Sequence, residues 1–148
     1  MSERDRTTAE TATDYDPNPG ERGKWLSAVI GLLGLWMLAQ AVLFELAASQ
    51  FWNDVLVGAL FLVVGAYNYY RRSNERIGNV AAAAVAALVG LWLIVAPFVL
   101  GVDAGATETA NDLGFWNDVV VGLIAAVIGG YSAYKARDRR EDVRRTAT

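Results

Sequence analysis

Long apolar stretches alternate with short polar blocks along the chain, and the lengths of the stretches predict its helices. From Trp25 to Phe44, twenty residues pass without one charge. A helix of that length spans about 30 Å, the thickness of the hydrocarbon core of a bilayer. Only Ser27 and Gln40 in this segment are notably polar, so it lacks the water-facing stripe that a soluble bundle helix needs. The first stretch therefore predicts a transmembrane helix.

Three further stretches have the same character. Residues 55–70 are uncharged, and they span a bilayer if Phe51 and Trp52 lie in its outer interface, where aromatic rings partition well. Residues 77–102 are uncharged and rich in alanine, and residues 115–134 repeat the pattern of 51–70. The fold class that follows is all-α, a polytopic membrane protein. Its four predicted transmembrane helices cover about 25–44, 53–70, 79–100 and 117–134.

The chain is also a tandem repeat. Residues 51–70 and 115–134 are identical at 11 of 20 positions, and the Gly-Leu-Trp at 34–36 recurs at 90–92. Each unit is thus a helical hairpin that begins and ends on one side of the membrane. The two hairpins are then parallel, related by a pseudo-two-fold axis along the membrane normal. The predicted division is a disordered cytoplasmic tail over 1–23, hairpins over 24–72 and 77–135, and a charged cytoplasmic tail over 136–148.

The sequences GLWLIVAPFVLG at 90–101 and FWNDVVVG at 115–122 resemble a known family, the SPW repeat integral membrane proteins. The family is named for a Ser-Pro-Trp tripeptide that closes the first helix of each unit. Here that position reads Ala-Pro-Phe at 96–98 and Gln-Ala-Val at 40–42, so only Pro97 is retained. The resemblance covers roughly 25–134 and implies a small multi-pass membrane protein, with no activity to carry over. The arginine bias, the acidic outer loops and the absence of cysteine also resemble halophilic archaeal proteins.

The charges predict the orientation. All 13 Lys and Arg lie in three blocks, at 4–24, 71–76 and 135–145, whereas the two other loops and their flanks carry only acids. Cytoplasmic flanks of membrane helices collect Lys and Arg. Both termini are therefore predicted to be cytoplasmic, in the cell membrane. Next to membrane spans, the basic blocks indicate contact with anionic lipid headgroups, and no nucleic-acid partner is expected.

Absent residue types limit the chemistry. The chain has neither Cys nor His, which excludes disulfides, thiol nucleophiles and metal sites built from those residues. Its acids are predicted at helix ends or in loops, so no ionisable side chain is expected between the membrane interfaces. Such side chains mark proton relays and most ion pathways, and their absence disfavours a pump. No catalytic residue, cofactor or metal site is predicted.

Two Asn-Asp pairs are the best-defined polar motif: Asn53-Asp54 and Asn117-Asp118. One interpretation is structural, because Asn is a favoured helix N-cap and Asp in the first turn complements the helix dipole. The other is functional: Asp54 and Asp118 form a symmetric pair near the pseudo-axis and hold a cation from outside.

Aromatic residues and one proline mark equivalent places in the two units. Trp52 and Trp116 are predicted to anchor the outer interface. Trp36 and Trp92 lie deeper, which predicts inward-facing packing between the hairpins, with an aromatic wall for a lipid-like ligand as the alternative. Pro97, near the outer end of its helix, is predicted to terminate or kink it.

Small residues predict where helices meet. Gly58 and Gly65, like Gly122 and Gly129, are seven residues apart and fall on one helix face, and Gly90 offers another close contact. Small side chains let backbones approach where lipid provides no hydrophobic drive for association. These five glycines are therefore predicted to pack the bundle.

The function expected from the sequence is a non-enzymatic structural or interaction role in the membrane. The alternative is a small oligomeric channel or facilitator for ions or small solutes. Expected partners are the lipid bilayer, anionic headgroups at the basic flanks, and either a second copy of the chain or another membrane protein.

Reporter fusions test the orientation. A reporter active only outside the cytoplasm is expected to stay silent at either terminus and to be active when inserted after Glu45, because Lys and Arg flank the cytoplasmic ends. Activity at either terminus would contradict the predicted topology.

Overall fold

Four α-helices make up the computed structural model, which describes residues 23–74, 76–100 and 108–147, with side chains from Asp112 onward in the last range. The prediction of an all-helical chain is confirmed, since no strand occurs in these ranges and all four helices are long and apolar enough to cross a membrane. Residues 1–22 of the tail predicted over 1–23, and residues 103–107 of the acidic loop predicted over 103–112, lie outside the described residues, whereas a helix already begins at Glu108. The helices are α1 (Lys24–Leu43), α2 (Ala48–Ser73), α3 (Val80–Leu100) and α4 (Glu108–Thr146).

A short loop joins α1 to α2. Phe44 turns to an extended conformation, and its backbone N–H donates to the Gln40 carbonyl oxygen at 2.8 Å. The chain then re-enters a helix at Ala48 rather than at residue 53 as predicted, because no helix breaker stands between them. So short a loop makes consecutive helices antiparallel neighbours.

The loop between α2 and α3 is fixed by two asparagines. Asn79 caps α3, its Oδ1 accepting the backbone N–H of Ala82 at 3.1 Å. The backbone N–H of Asn79 donates to Oδ1 of Asn68 in α2 at 2.7 Å. The start of α3 is therefore tied to the side of α2.

Glycines set how closely the helices approach, with α1 packed along α2 and α3 along α4. A Cβ built on Gly34 would lie 2.6 Å from the carbonyl oxygen of Gly58, and one on Gly90 would lie 2.7 Å from that of Gly122. Farther along, a Cβ on Gly65 or Gly129 would lie 2.8 Å from a carbonyl oxygen of the facing helix. Each helix pair is thus in backbone contact at equivalent positions.

The core repeats as the sequence does, with unequal partners. Phe61 and Ala125 are both fully buried and occupy the same place in the two units, so a large side chain on one hairpin matches a small one on the other. All eight core residues fall into repeat pairs. Two pairs are unequal in size, Ile30 with Ala86 and Phe61 with Ala125, and two are similar, Met37 with Leu93 and Val57 with Val121.

Large apolar side chains cover the outside of the bundle. Leu32, Leu56, Leu88 and Leu123, one from each helix, are all more than half exposed. A soluble helix places its apolar stripe inside and its polar face outside. Here the exposed surface is the apolar one, as contact with lipid requires.

Helix α4 continues past the predicted end of its span at residue 134, because the charged segment 136–148 that was predicted as a tail is helical through Thr146. An i,i+4 ion pair supports the extension, with 3.2 Å between Arg137 Nε and Glu141 Oε1. The last turn contains Arg144 and Arg145, whose positive charges interact favourably with the negative end of the helix dipole.

Two neighbouring glycines of α4 provide a matched test of packing. Gly129→Ala is expected to lower the free energy of unfolding by about 1–3 kcal/mol, because the added methyl group meets the carbonyl oxygen of Ala83. Gly130→Ala is expected to be neutral or stabilising by up to about 1 kcal/mol, because nothing lies within 4 Å of its Cβ position. Thermal unfolding in one detergent measures both, and equal effects would contradict the packing described.

Candidate functional site

Two aspartates lie inside the bundle, at the end opposite the basic blocks. Asp54 and Gly58 are four residues apart on one face of α2, and so are Asp118 and Gly122 on α4. The glycine face contacts the neighbouring helix, so both carboxyl groups are carried inward and have no exposed surface. The prediction for these acids followed their distance from the helix ends and did not include that they face the neighbouring helix.

The predicted capping role of the Asn-Asp pairs is wrong. Ala47 is the N-cap of α2, and no side chain caps that helix. Asn53 lies more than one turn inside α2, and Asn117 lies deeper still inside α4. All four motif residues are thus helix-interior positions, free to contact other helices.

Asp54 is held by two amides. Gln40 Nε2 of α1 donates to Oδ2 of Asp54 at 2.8 Å, and Asn53 Nδ2 donates to Oδ1 at 3.3 Å. Gln40 is fully buried. The sequence did not predict it as a site residue, although a lone amide in an uncharged twenty-residue stretch was the available signal.

Asp118 lacks this support. The repeat equivalent of Gln40 is Ala96, which is fully buried and offers no donor. Neither carboxylate oxygen of Asp118 has a hydrogen bond of good geometry from a residue that the structure describes, and the same holds for Oε1 of Gln40, although the amides of Gln40, Gln50 and Asn117 lie close enough to Asp118 to interact with it. Asp54 and Gln40 are nonetheless close neighbours of Asp118, and Gln50 is another. Three buried oxygen acceptors in one cluster therefore lack a donor.

Each hairpin donates an indole N–H to the other. Trp36 Nε1 in the first unit donates to Asn117 Oδ1 in the second at 2.8 Å. Trp92 Nε1 in the second unit donates to Asn53 Oδ1 in the first at 2.9 Å. These reciprocal bonds and the carboxyl pair form one polar layer, whose members are Trp36, Gln40, Gln50, Asn53, Asp54, Trp92, Asn117 and Asp118.

Trp36 and Trp92 do make the predicted contact between the hairpins, through their indole nitrogens, but the prediction that their rings face inward is wrong. Their side chains are 45% and 42% exposed. An indole N–H facing hydrocarbon without a partner costs several kcal/mol. Each ring therefore lies along the surface and reaches the neighbouring hairpin with its nitrogen. Trp52 and Trp116 are also exposed, and each stacks edge-on against the phenylalanine before it.

The charge of the polar layer is unbalanced in the described part of the chain. Asp54 and Arg71, the nearest base along α2, are separated by about 26 Å of helix axis. Two carboxylates buried without a counter-charge are strongly unfavourable. Among the described residues, no three His, Cys, Asp or Glu side chains are grouped so as to hold a metal ion.

The four helices and their repeated motifs agree with the comparison against known families. The model of the SPW repeat domain matches residues 24–143. The chain belongs to the SPW repeat family. With its four apolar helices, this SPW repeat chain is a multi-pass membrane protein, and the resemblance seen in the sequence is confirmed. No curated protein and no solved structure matches it.

The position that gives the SPW family its name lies near the end of α3. Pro97 is inside the helix, which continues to Leu100. Phe98 points outward and packs edge-on against Phe115 of α4, with ring centroids 5.2 Å apart. The motif therefore joins the ends of α3 and α4 in the second unit of this SPW repeat protein.

A basic cavity lies at the other end of the bundle. It has a volume of about 530 Å³, and its lining includes Arg72, Lys135 and Arg139. Glycines make room for Arg72, since a Cβ on Gly78 would lie 2.7 Å from its Nε. Arg72 and Arg139 are close enough to repel each other. The site can accommodate an anionic group.

Double-mutant cycles test the reciprocal bonds. Trp36→Phe and Asn117→Ala are expected to couple by about 0.6–1.7 kcal/mol in unfolding free energy, because each removes one side of the same hydrogen bond. The control cycle pairs Trp36→Phe with Asn53→Ala, which share no bond and are expected to be additive. Equal coupling in both cycles would contradict the cross-hairpin pairing.

Proposed function

We propose that this SPW repeat protein has a non-enzymatic structural or interaction role, in which the bundle anchors a charged helix at the membrane surface. The observation that supports this role most directly is the extension of α4. After Ala136 every described residue of the helix is exposed except Arg139, which is partly buried, and the segment carries five arginines and three acids before Thr146. An ordered charged helix beyond an apolar span is suited to meeting a partner.

The burial of the carboxyl pair supports a non-enzymatic role. Asp54 and Asp118 are the acids positioned to work together, and neither has any exposed surface. A general acid or base must come within hydrogen-bond reach of its substrate. A substrate has no such access to these two groups.

The proposed orientation places the basic cavity and both termini on the cytoplasmic side. Positive charge collects there by the usual bias of membrane loops. Lys135 and Arg139 at the cavity then lie at headgroup depth, where anionic lipids attract basic residues by about 1 kcal/mol each. Anionic headgroups are therefore proposed as partners, besides a second copy or another membrane protein that meets α4.

A second candidate function is a small facilitator for ions, formed by oligomerisation. The buried acceptors of Gln40 and Asp118 favour it, because ionisable groups inside a membrane bundle accompany ion pathways. The close backbone contacts at Gly34 and Gly90 weigh against a pore within one chain.

Photo-crosslinking distinguishes the roles. A photoreactive residue at Val143, on the extension, is expected to give discrete protein adducts in native membranes, because that face is exposed beyond the apolar span. The matched control is Val127, similarly exposed on the apolar part of α4, where lipid adducts are expected.

Lipid adducts alone at Val143 would contradict the interaction role. Purified protein in liposomes is expected to pass no ions, and a flux abolished by Asp118→Asn would favour the facilitator.

A further inference from the structure

We propose that Gln40, Asp54 and Asp118 form a binding site for one hard divalent cation of the Ca²⁺ type. The site lies within the polar layer and depends on neither the interaction role nor ion conduction. It requires only that the observed cluster of oxygens holds a positive ion.

The first argument is the pattern of unsatisfied atoms. Asp118 Oδ1 and Oδ2 and Gln40 Oε1 are buried acceptors without a donor among the described residues. Buried polar atoms are normally satisfied by protein, water or an ion. All three atoms are oxygens and acceptors, so the missing partner is a donor or a cation.

The second argument is orientation. Gln40 is anchored by Nε2, which donates to Asp54 Oδ2 at 2.8 Å. This bond fixes the amide group, so its carbonyl oxygen, Oε1, is directed away from Asp54 Oδ2 and stays buried. Asp118 is a close neighbour of both residues. Two carboxyl groups and one amide group from three helices, α1, α2 and α4, are thus neighbours inside the bundle.

The third argument is charge. Fully ionised, the two carboxyl groups would carry two negative charges, and the described bases lie at the far end of the bundle. A divalent ion neutralises the pair, whereas a monovalent ion leaves one buried charge unpaired. Charge balance therefore selects a divalent ion.

The fourth argument is ligand chemistry. Carboxylate and amide oxygens are ligands for hard cations. Ca²⁺ accepts irregular geometry with many protein oxygens, whereas Mg²⁺ demands an octahedron and keeps several waters. Asp54, Asp118 and Gln40 have no exposed surface to accommodate those waters. The site therefore favours Ca²⁺ over Mg²⁺.

The asymmetry between the units fixes the stoichiometry. Gln40 has no counterpart in the second unit, where Ala96 occupies its place. The two aspartates share one amide carbonyl. One ion per chain is the expected number, although the sequence contains two Asn-Asp motifs.

The experiment is equilibrium dialysis of ⁴⁵Ca²⁺ against the purified full-length chain in detergent, after removal of divalent ions with a chelator. The folded chain is expected to bind one Ca²⁺ and to prefer it to Mg²⁺ and Na⁺. Asp118→Asn and Gln40→Ala are each expected to weaken binding about tenfold or more. The matched control is Glu45→Gln, an exposed carboxylate at the same end of the bundle, which should bind as the unmodified chain does.

Thermal unfolding provides a second measurement if a variant binds poorly for structural reasons. Ca²⁺ is expected to raise the unfolding temperature of the unmodified chain. In chelator, Asp118→Asn is expected to unfold at a higher temperature than the unmodified chain, because one of two repelling charges is gone. Absence of Ca²⁺ binding by the folded unmodified chain, or undiminished binding by Asp118→Asn, would overturn the proposal. Equal binding of Mg²⁺ would overturn the choice of ion.

Discussion

Backbone contact at glycines is the constraint on which the rest of this structure depends. In lipid, helices gain little from burying apolar side chains, so close packing must supply the attraction. Gly34 against Gly58 and Gly90 against Gly122 bring each helix pair together at the same depth. The faces that carry these glycines also carry Asp54 and Asp118. Once the glycines are in contact, the aspartates have no position except the interior.

A polar layer inside an apolar bundle is costly unless its groups satisfy one another. This layer does so unevenly. The amides of Asn53 and Asn117 each accept an indole N–H from the other hairpin, and Asp54 accepts from Gln40. The two carboxyl oxygens of Asp118 are buried acceptors without a well-placed donor among the described residues. The uneven satisfaction follows from one difference between the repeats, Gln40 in place of alanine, and it concentrates the unbalanced charge at a single point.

The sequence predicted the helices better than the layer. Uncharged stretches of bilayer length are sufficient to identify four spans, and the glycine spacing indicates the contact faces. Helix ends were harder to predict, because Ala48 and its neighbours neither favour nor forbid a helix start. That error placed the start of α2 five residues too late. The spacing of Asp54 from Gly58 does indicate that the aspartate faces the neighbouring helix, since residues four apart share a face. The pairing of Trp36 with Asn117 joins residues 81 positions apart and depends on the docking of the hairpins.

The reciprocal indole–amide bonds have a consequence for how such a chain can be assembled. Each unit contains one donor and one acceptor, and neither reaches the other within its own hairpin in this structure. Two identical units related by a two-fold axis would satisfy both bonds at once, as in any isologous contact. The two reciprocal bonds of this chain therefore have the pattern expected of a two-fold pair of hairpins, here carried in one polypeptide. Joining the units in one polypeptide also freed them to diverge, so that a glutamine could stand on one side of the axis and an alanine on the other.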